Sequence, residues 1–411
     1  MGYINMKKFN KDKYLKKLRF KKYKRYLYIS IPCILVLLIG IYFAYSKFSG
    51  FKEEEVVRTT VGDFISGDDV IGAYIDGEYS TTIPGKNDGY VVEKIVCDND
   101  ATGSWNNDSW GIVLTNMTKR TKCNIYFETK KNSVNDVIND AVNTNSSMFA
   151  SDDPGKNVRY IGADPSNYVY FNCSDYTNPT ADTCELWRII GVFNNVTKAD
   201  GSKENLVKII RDDSIGDIAW DDNNVNDWST ATLQQNLNSG TYYTTTLKND
   251  TTRNAIEEVV WNLGGSSTYN DVTPSMFYER ERGTKVYSGR PTTWTGKIGL
   301  MYPSDYGYAT SGGTTKDRVA CLAKELYNWD SSEFSDCKGN DYLYNSSLYQ
   351  WTLAPYSASA NLVFNVVRGG HVYIRHANST YAVRPALFLK SNIQVDKGTG
   401  EKSNTYTLKM Q

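Results

Sequence analysis

Apolar side chains in the second half of the chain gather into three short runs, 297–302, 351–357 and 381–389, each broken by Pro, Gly or Ser. Runs of this length, rich in aromatic and branched residues, predict strands, and these three are taken as the centre of a C-terminal globular unit. Pro303 stops the first run. The residues after it read as a turn and an exposed loop, in which Gly307 and Gly312-Gly313 permit sharp bends and Tyr306 and Tyr308 project. Upstream, strands are predicted over 168–173, 186–193 and 206–211. Three helices follow. Ser229 caps the first, with Trp228 stapled onto Leu233 and Gly240 past its end. The second begins near Thr251 or Thr252, carries Ile256, Val259, Val260 and Leu263, and stops at Gly264-Gly265; the third covers 274–282. A hairpin over 363–376 turns at Gly369-Gly370. Residues 157–411 therefore read as an α+β unit.

Between 56 and 128 the pattern is short strands separated by turn residues such as Asp76-Gly77, Pro84-Gly85 and Asn87-Asp88-Gly89. This reads as a small all-β sandwich with Trp105 and Trp110 as core anchors rather than ligand platforms. Residues 129–156 read as a polar linker holding one short helix, capped by Ser133 with Asp136 three residues on.

Charge changes the picture at the N-terminus. Residues 1–26 hold 11 Lys or Arg and one acid, leaving 35 basic and 45 acidic side chains in the other 385. Residues 26–46 carry no charge before Lys47, with Tyr at both ends, about the length that spans a bilayer. A transmembrane helix is predicted, with 1–25 as a basic cytoplasmic head on anionic lipid, 47–55 as a stalk and the body extracellular. The alternative is a cleaved signal peptide, for which Ala44 and Ser46 supply small residues at the cut. No nucleic-acid partner is expected, because a basic segment beside a span is accounted for by lipid.

One of seven cysteines, Cys33, falls in that apolar stretch. The other six suit disulfides in an exported body, and neighbour pairing gives Cys97–Cys123, Cys173–Cys184 and Cys321–Cys337 among 15 connectivities. The two histidines, His371 and His376, are five residues apart on a predicted strand and so face opposite ways. No G-x-S-x-G elbow accompanies them. Asp217, Asp221, Asp222 and Asp227 crowd hard oxygen ligands into a short stretch that reads as a solvated loop or a calcium site, although the twelfth position from Asp222 is Leu233 and not the Glu of an EF-hand. Arg384, in an apolar strand, is read as binding a ligand carboxylate or pairing internally with Asp305. Trp294, Tyr302, Tyr306, Tyr308, Trp351 and Tyr356 are candidates for a sugar-binding groove or for core.

The stretches YIGADPSNYVYFNC, LWRIIGVF, DWSTATLQQNLN, VVWNLGG, TGKIGLMYPSDYGYATSGG, WTLAPYS and VRPALFLKSN resemble a family of uncharacterised exported proteins of Gram-positive gut bacteria, over 157–411. Residues 56–130 resemble a companion β-domain of such proteins. The C-terminal module is similar, in strand–helix–strand order and its terminal Arg-Pro-Ala-Leu strand, to the C-type-lectin-like fold shared with formylglycine-generating enzymes. Those enzymes use two reactive cysteines near the C-terminal end, and no Cys follows Cys337 here. The resemblance thus implies a scaffold without that chemistry. The expected role is a membrane-anchored surface binding protein for a glycan, a cell-wall component or a protein, with Asp305, Tyr306, Tyr308, Trp351 and Arg384 as ligand contacts. The alternatives are an extracellular enzyme on that scaffold and a structural part of the envelope.

Overall fold

The computed structural model describes residues 70–116 and 121–410, and the chain divides into two compact units between Lys130 and Lys131. The basic head, the charge-free stretch and the stalk lie outside the described residues. Among the described residues no helix is long and apolar enough to cross a membrane. The expected α+β balance is corrected: among the described residues 36% are strand and 19% helix, a mostly β structure. The C-type-lectin-like arrangement expected of 157–411 falls with it.

One reason lies at the second expected helix. A helix does form over Asp250–Ala255, capped by the Asn249 side chain on the Thr252 amide. It stops there. Ile256–Glu257 and Val259–Asn262 are strands, antiparallel to Ala386–Leu389 and Thr293–Gly296. The apolar residues of 256–263 fit a helical stripe, but Ile256, Val259 and Val260 are β-branched and fit a pleated surface better. The first expected helix is also shorter, Thr232–Asn238, without a side-chain cap; Ser229 instead bonds to Asp227.

The N-terminal unit is a four-stranded sheet in the order Glu78–Ser80, Val70–Ile75, Lys122–Thr129, Tyr90–Cys97. Its central pair, Val70–Ile75 with Lys122–Thr129, is parallel, which needs the long crossover between them. The separate hairpin of Thr102–Asn106 and Gly111–Thr115 supplies Ile112 and Leu114 to a core shared with Ala73, Ile125 and Phe127. Trp105 and Trp110 pack edge to face, their ring centroids 5.2 Å apart, and both lie against Phe127. The expected two-sheet sandwich is thus a mixed sheet covered by one hairpin. Cys97 and Cys123 face each other across neighbouring strands and are bonded.

The C-terminal unit is built on a larger sheet that runs Ile256–Glu257, Ala386–Leu389, Lys203–Arg211, Glu185–Thr197, Val158–Tyr160, Phe149–Ala150. A second sheet carries Asp217–Ala219, Thr380–Ala382, Gln350–Pro355, Leu362–Val366 and Val372–His376. Gln350–Pro355 and Ala386–Leu389 are buried throughout, as apolar runs flanked by other elements on both faces must be. The segment read as a linker belongs to this unit. Helix Val134–Thr144 has its Ser133–Asp136 capping box, and it sinks Val134 and Ile138 into the main core. A stripe of valines and one isoleucine has to be buried somewhere. Helix Pro274–Glu281 starts at a Thr273 cap with proline at its first position. Cys173–Cys184 and Cys321–Cys337 close the other two disulfides.

Candidate functional site

The loop expected at 304–313 is instead a helix, Pro303–Ala309, and all seven of its residues are buried. Proline at the first position and Asp305 in the first turn start it; the Asp305 carboxylate accepts from the Tyr302 amide at 2.9 Å. Gly307 serves close approach and not a sharp bend, since a Cβ there would come within 2.7 Å of Pro274 on the neighbouring helix. Tyr306 is 0% and Tyr308 3% exposed. Tyr306 donates its hydroxyl to the Gly370 carbonyl at 2.6 Å and packs on Trp329. The proposed projecting tyrosines are core. So is Trp351, whose Nε1 donates to the Ile218 carbonyl. Arg384 does not meet Asp305. It donates to the carbonyls of Arg211 and Leu343 and to Gln350 Oε1, which spreads a buried charge over neutral acceptors. All five of the expected contact residues are buried, none more than 4% exposed.

The four aspartates also part company. Asp217 and Asp222 are exposed, on different sides of Ile218–Asp221. Asp221 is buried and its two oxygens accept from the Val225 and Thr232 amides, fixing the loop and starting the next helix. Asp227 accepts from Ser229. Among the described residues no three His, Cys, Asp or Glu side chains gather as a metal would require. Asp221 and Asp227 fix loop geometry through these bonds.

What the fold does assemble is a partly open cluster of rings. Tyr373 lies on Val372–His376, the edge strand of the second sheet. Tyr269 stands in the loop after Val259–Asn262, Tyr327 in the short turn Leu326–Asn328, and Tyr356 just past Gln350–Pro355. All four are half-buried. Tyr269 is the hub: its ring centroid lies 5.2 Å from Tyr373, 5.4 Å from Tyr327 and 6.4 Å from Tyr356. His371 continues the row, 5.7 Å from Tyr327, with Asp330 Oδ2 3.3 Å from its Nδ1. Burial outweighs that carboxylate and keeps His371 below the ordinary histidine value. The Arg375 guanidinium lies 4.5 Å from the Tyr373 ring. Tyr356 roots the cluster, since it packs on Phe364 and Phe364 on Phe277 of the core. Edge-to-face packing fixes the rings while leaving surface to the solvent. Tyr356 was among the sequence candidates; Tyr269, Tyr327 and Tyr373 were not, because nothing local marks residues about a hundred positions apart as neighbours.

Below the larger sheet lies a buried chain of charges. Arg159 joins Asp153 (2.6 Å) to Asp305 (2.9 Å), and Lys208 meets the other oxygen of Asp305 at 2.5 Å. Burial would raise the Asp305 carboxyl, but Lys208 and Arg159 hold it down at about 2. Lys208 itself is lowered by burial. A cavity of about 140 Å³ adjoins it, walled by Phe193, Trp261, Tyr302 and Phe388, with Arg282 stacked on Tyr278 at one side. Apart from this chain, Asp341 is buried with one oxygen on the Leu343 amide and the other without a partner, and burial pushes its carboxyl well up.

Comparison of the chain with protein-family models, with curated proteins and with solved structures finds no match.

Proposed function

We propose that this chain is a membrane-tethered surface protein that binds a glycan on the platform of Tyr269, Tyr327, Tyr356 and Tyr373. The observation that carries it is four half-buried tyrosines held ring against ring, one on the edge strand Val372–His376 and three on the loops and turn beside it. Sugar rings present C–H faces that lie flat on aromatic rings, and phenol hydroxyls bond to sugar hydroxyls. Asp330 and Arg375 stand beside the rings as further polar partners. A rigid aromatic surface loses little conformational entropy when a ligand lands on it. The likeness of 157–411 to exported proteins and three disulfides in the described body both favour the exterior.

A glycan array probed with the exported part, 47–411, tests the reading. Tyr269→Ala, Tyr327→Ala and Tyr373→Ala are each expected to weaken binding about tenfold, as loss of one anchoring ring does. Tyr306→Ala is the control, lowering the melting temperature through core loss. An array on which nothing binds, or binding indifferent to all three platform changes, sinks the proposal. The tether rests on the basic head before a charge-free stretch. Protease added to intact cells should therefore remove the body and leave a stub of roughly 50 residues, head plus span. Recovery of the body in the medium, beginning near Lys47, would show cleavage instead.

A further inference from the structure

We propose that Lys208 and Asp305 condense into an intramolecular amide, an isopeptide bond between strand Lys203–Arg211 and helix Pro303–Ala309 that forms without any other protein. Three features lead there. The two groups are in direct contact, Nζ to Oδ2, and neither side chain has any exposed surface. Lys208 is boxed by rings, with Tyr302 4.5 Å, Trp261 5.2 Å, Phe193 5.5 Å and Phe388 5.7 Å from its Nζ. Among the described residues, Asp305 is its one hydrogen-bond acceptor. Finally, Arg159 Nη1 already donates to the far oxygen, Oδ1, at 2.9 Å.

The chemistry closes on these groups alone. Lys208 passes a proton to Asp305 Oδ2, giving an amine and a carboxylic acid. The nitrogen lone pair attacks Cγ, and the electron pair of the Cγ–Oδ1 bond moves onto Oδ1. Arg159 stands where that negative charge develops, as an oxyanion-stabilising donor does. The Cγ–Oδ2 bond then breaks. Oδ2 leaves as water, with the proton it received and a second one from the nitrogen, and the Cγ–Oδ1 double bond re-forms. An ammonium and a carboxylate become one neutral amide and one water. No oxidant, reductant or activated group enters.

The surroundings favour the direction. Two fully buried ions are costly to hold in a protein interior, and a neutral amide is less so. Contact in a fixed geometry replaces the encounter that makes amide formation slow in water. Burial is the largest influence on both partners and disfavours both charges, lowering Lys208 and opposing the ionisation of Asp305. The ion pair nonetheless dominates, because Lys208 and Arg159 hold Asp305 at about 2. Reaction proceeds through the minor neutral pair, so the bond accumulates slowly after folding.

Mass spectrometry of the purified, disulfide-reduced and denatured protein decides it, after incubation for a day at neutral pH. The wild type is expected to be lighter than its sequence by one water, with a branched tryptic peptide joining the segments around Lys208 and Asp305. Lys208→Arg keeps the charge, cannot form the bond and should show its full calculated mass. Wild-type protein wholly at its full mass overturns the proposal. A water loss that maps to a linear peptide overturns it equally.

Discussion

Asp305→Ala is expected to remove about 3–5 kcal/mol of stability from the C-terminal unit, the cost of stranding buried charges. Among the described residues, Asp305 is the only carboxylate that Lys208 touches and one of the two that hold Arg159. Its loss leaves an ammonium among four rings and a guanidinium half-paired. It also removes the acceptor for the Tyr302 amide at the start of helix Pro303–Ala309. Asp305→Asn keeps an oxygen for one donor and should cost less. Urea unfolding reads the difference, and an alanine variant within about 1 kcal/mol of wild type would show that the network contributes nothing. The pH dependence has a definite sign. In freshly folded protein, before any amide has formed, a carboxyl depressed to about 2, against 3.8 as its ordinary value, contributes stability that is present above about pH 4. That stability is lost as pH falls towards 2.

Asp341→Asn should do the opposite and stabilise, by roughly 1 kcal/mol at neutral pH, because it removes the buried ionisable group while leaving an amide nitrogen where Oδ2 stands. Asp341 is 3% exposed, with Oδ2 unpartnered and Oδ1 on the Leu343 amide. Its main chain bridges both Gly162 and Thr310, so it cannot swing out to water. Burial raises its folded-state carboxyl well above 3.8. Folding is therefore unhindered below about pH 4, where the group is protonated in both states, and loses stability as pH rises through the raised value. An amide keeps the Oδ1 acceptor and never ionises. Melting curves of wild type and variant should coincide in acid and separate towards neutrality. Coincidence at pH 7 would mean that the carboxyl finds a partner in solution.

Some of this architecture was open to inspection in the residues themselves. Pro274 behind Thr273 marks a helix start by local rules, and the Ser133–Asp136 box does the same. Cysteines close in sequence pair because short loops close easily, and all three neighbour pairs are bonded. Residues 256–263 failed because a short apolar run fits either period, and only pairing with Ala386–Leu389 and Thr293–Gly296 decides it. Tyr306 and Tyr308 failed for another reason. Glycine between two aromatics signals an exposed bend as readily as a tight helix crossing, and which one holds depends on Pro274, 33 residues earlier. The tyrosine platform and the Lys208–Asp305 contact have no local signal at all, since each joins residues that only the folded sheets bring together.

The parallel central pair of the N-terminal unit has a mechanical consequence. The described chain enters this unit along Val70–Ile75 and leaves it along Lys122–Thr129, side by side over six paired residues. Force on the two ends pulls these strands in opposite directions along their common axis. The backbone hydrogen bonds between them are loaded together in shear and must fail as a group, whereas a hairpin pulled from its open end unzips one bond at a time. The Cys97–Cys123 bond ties the leaving strand to its other neighbour, so the far side of the sheet cannot peel away first. Tension applied between the two ends of the described part of this unit would run along the direction in which its sheet resists most.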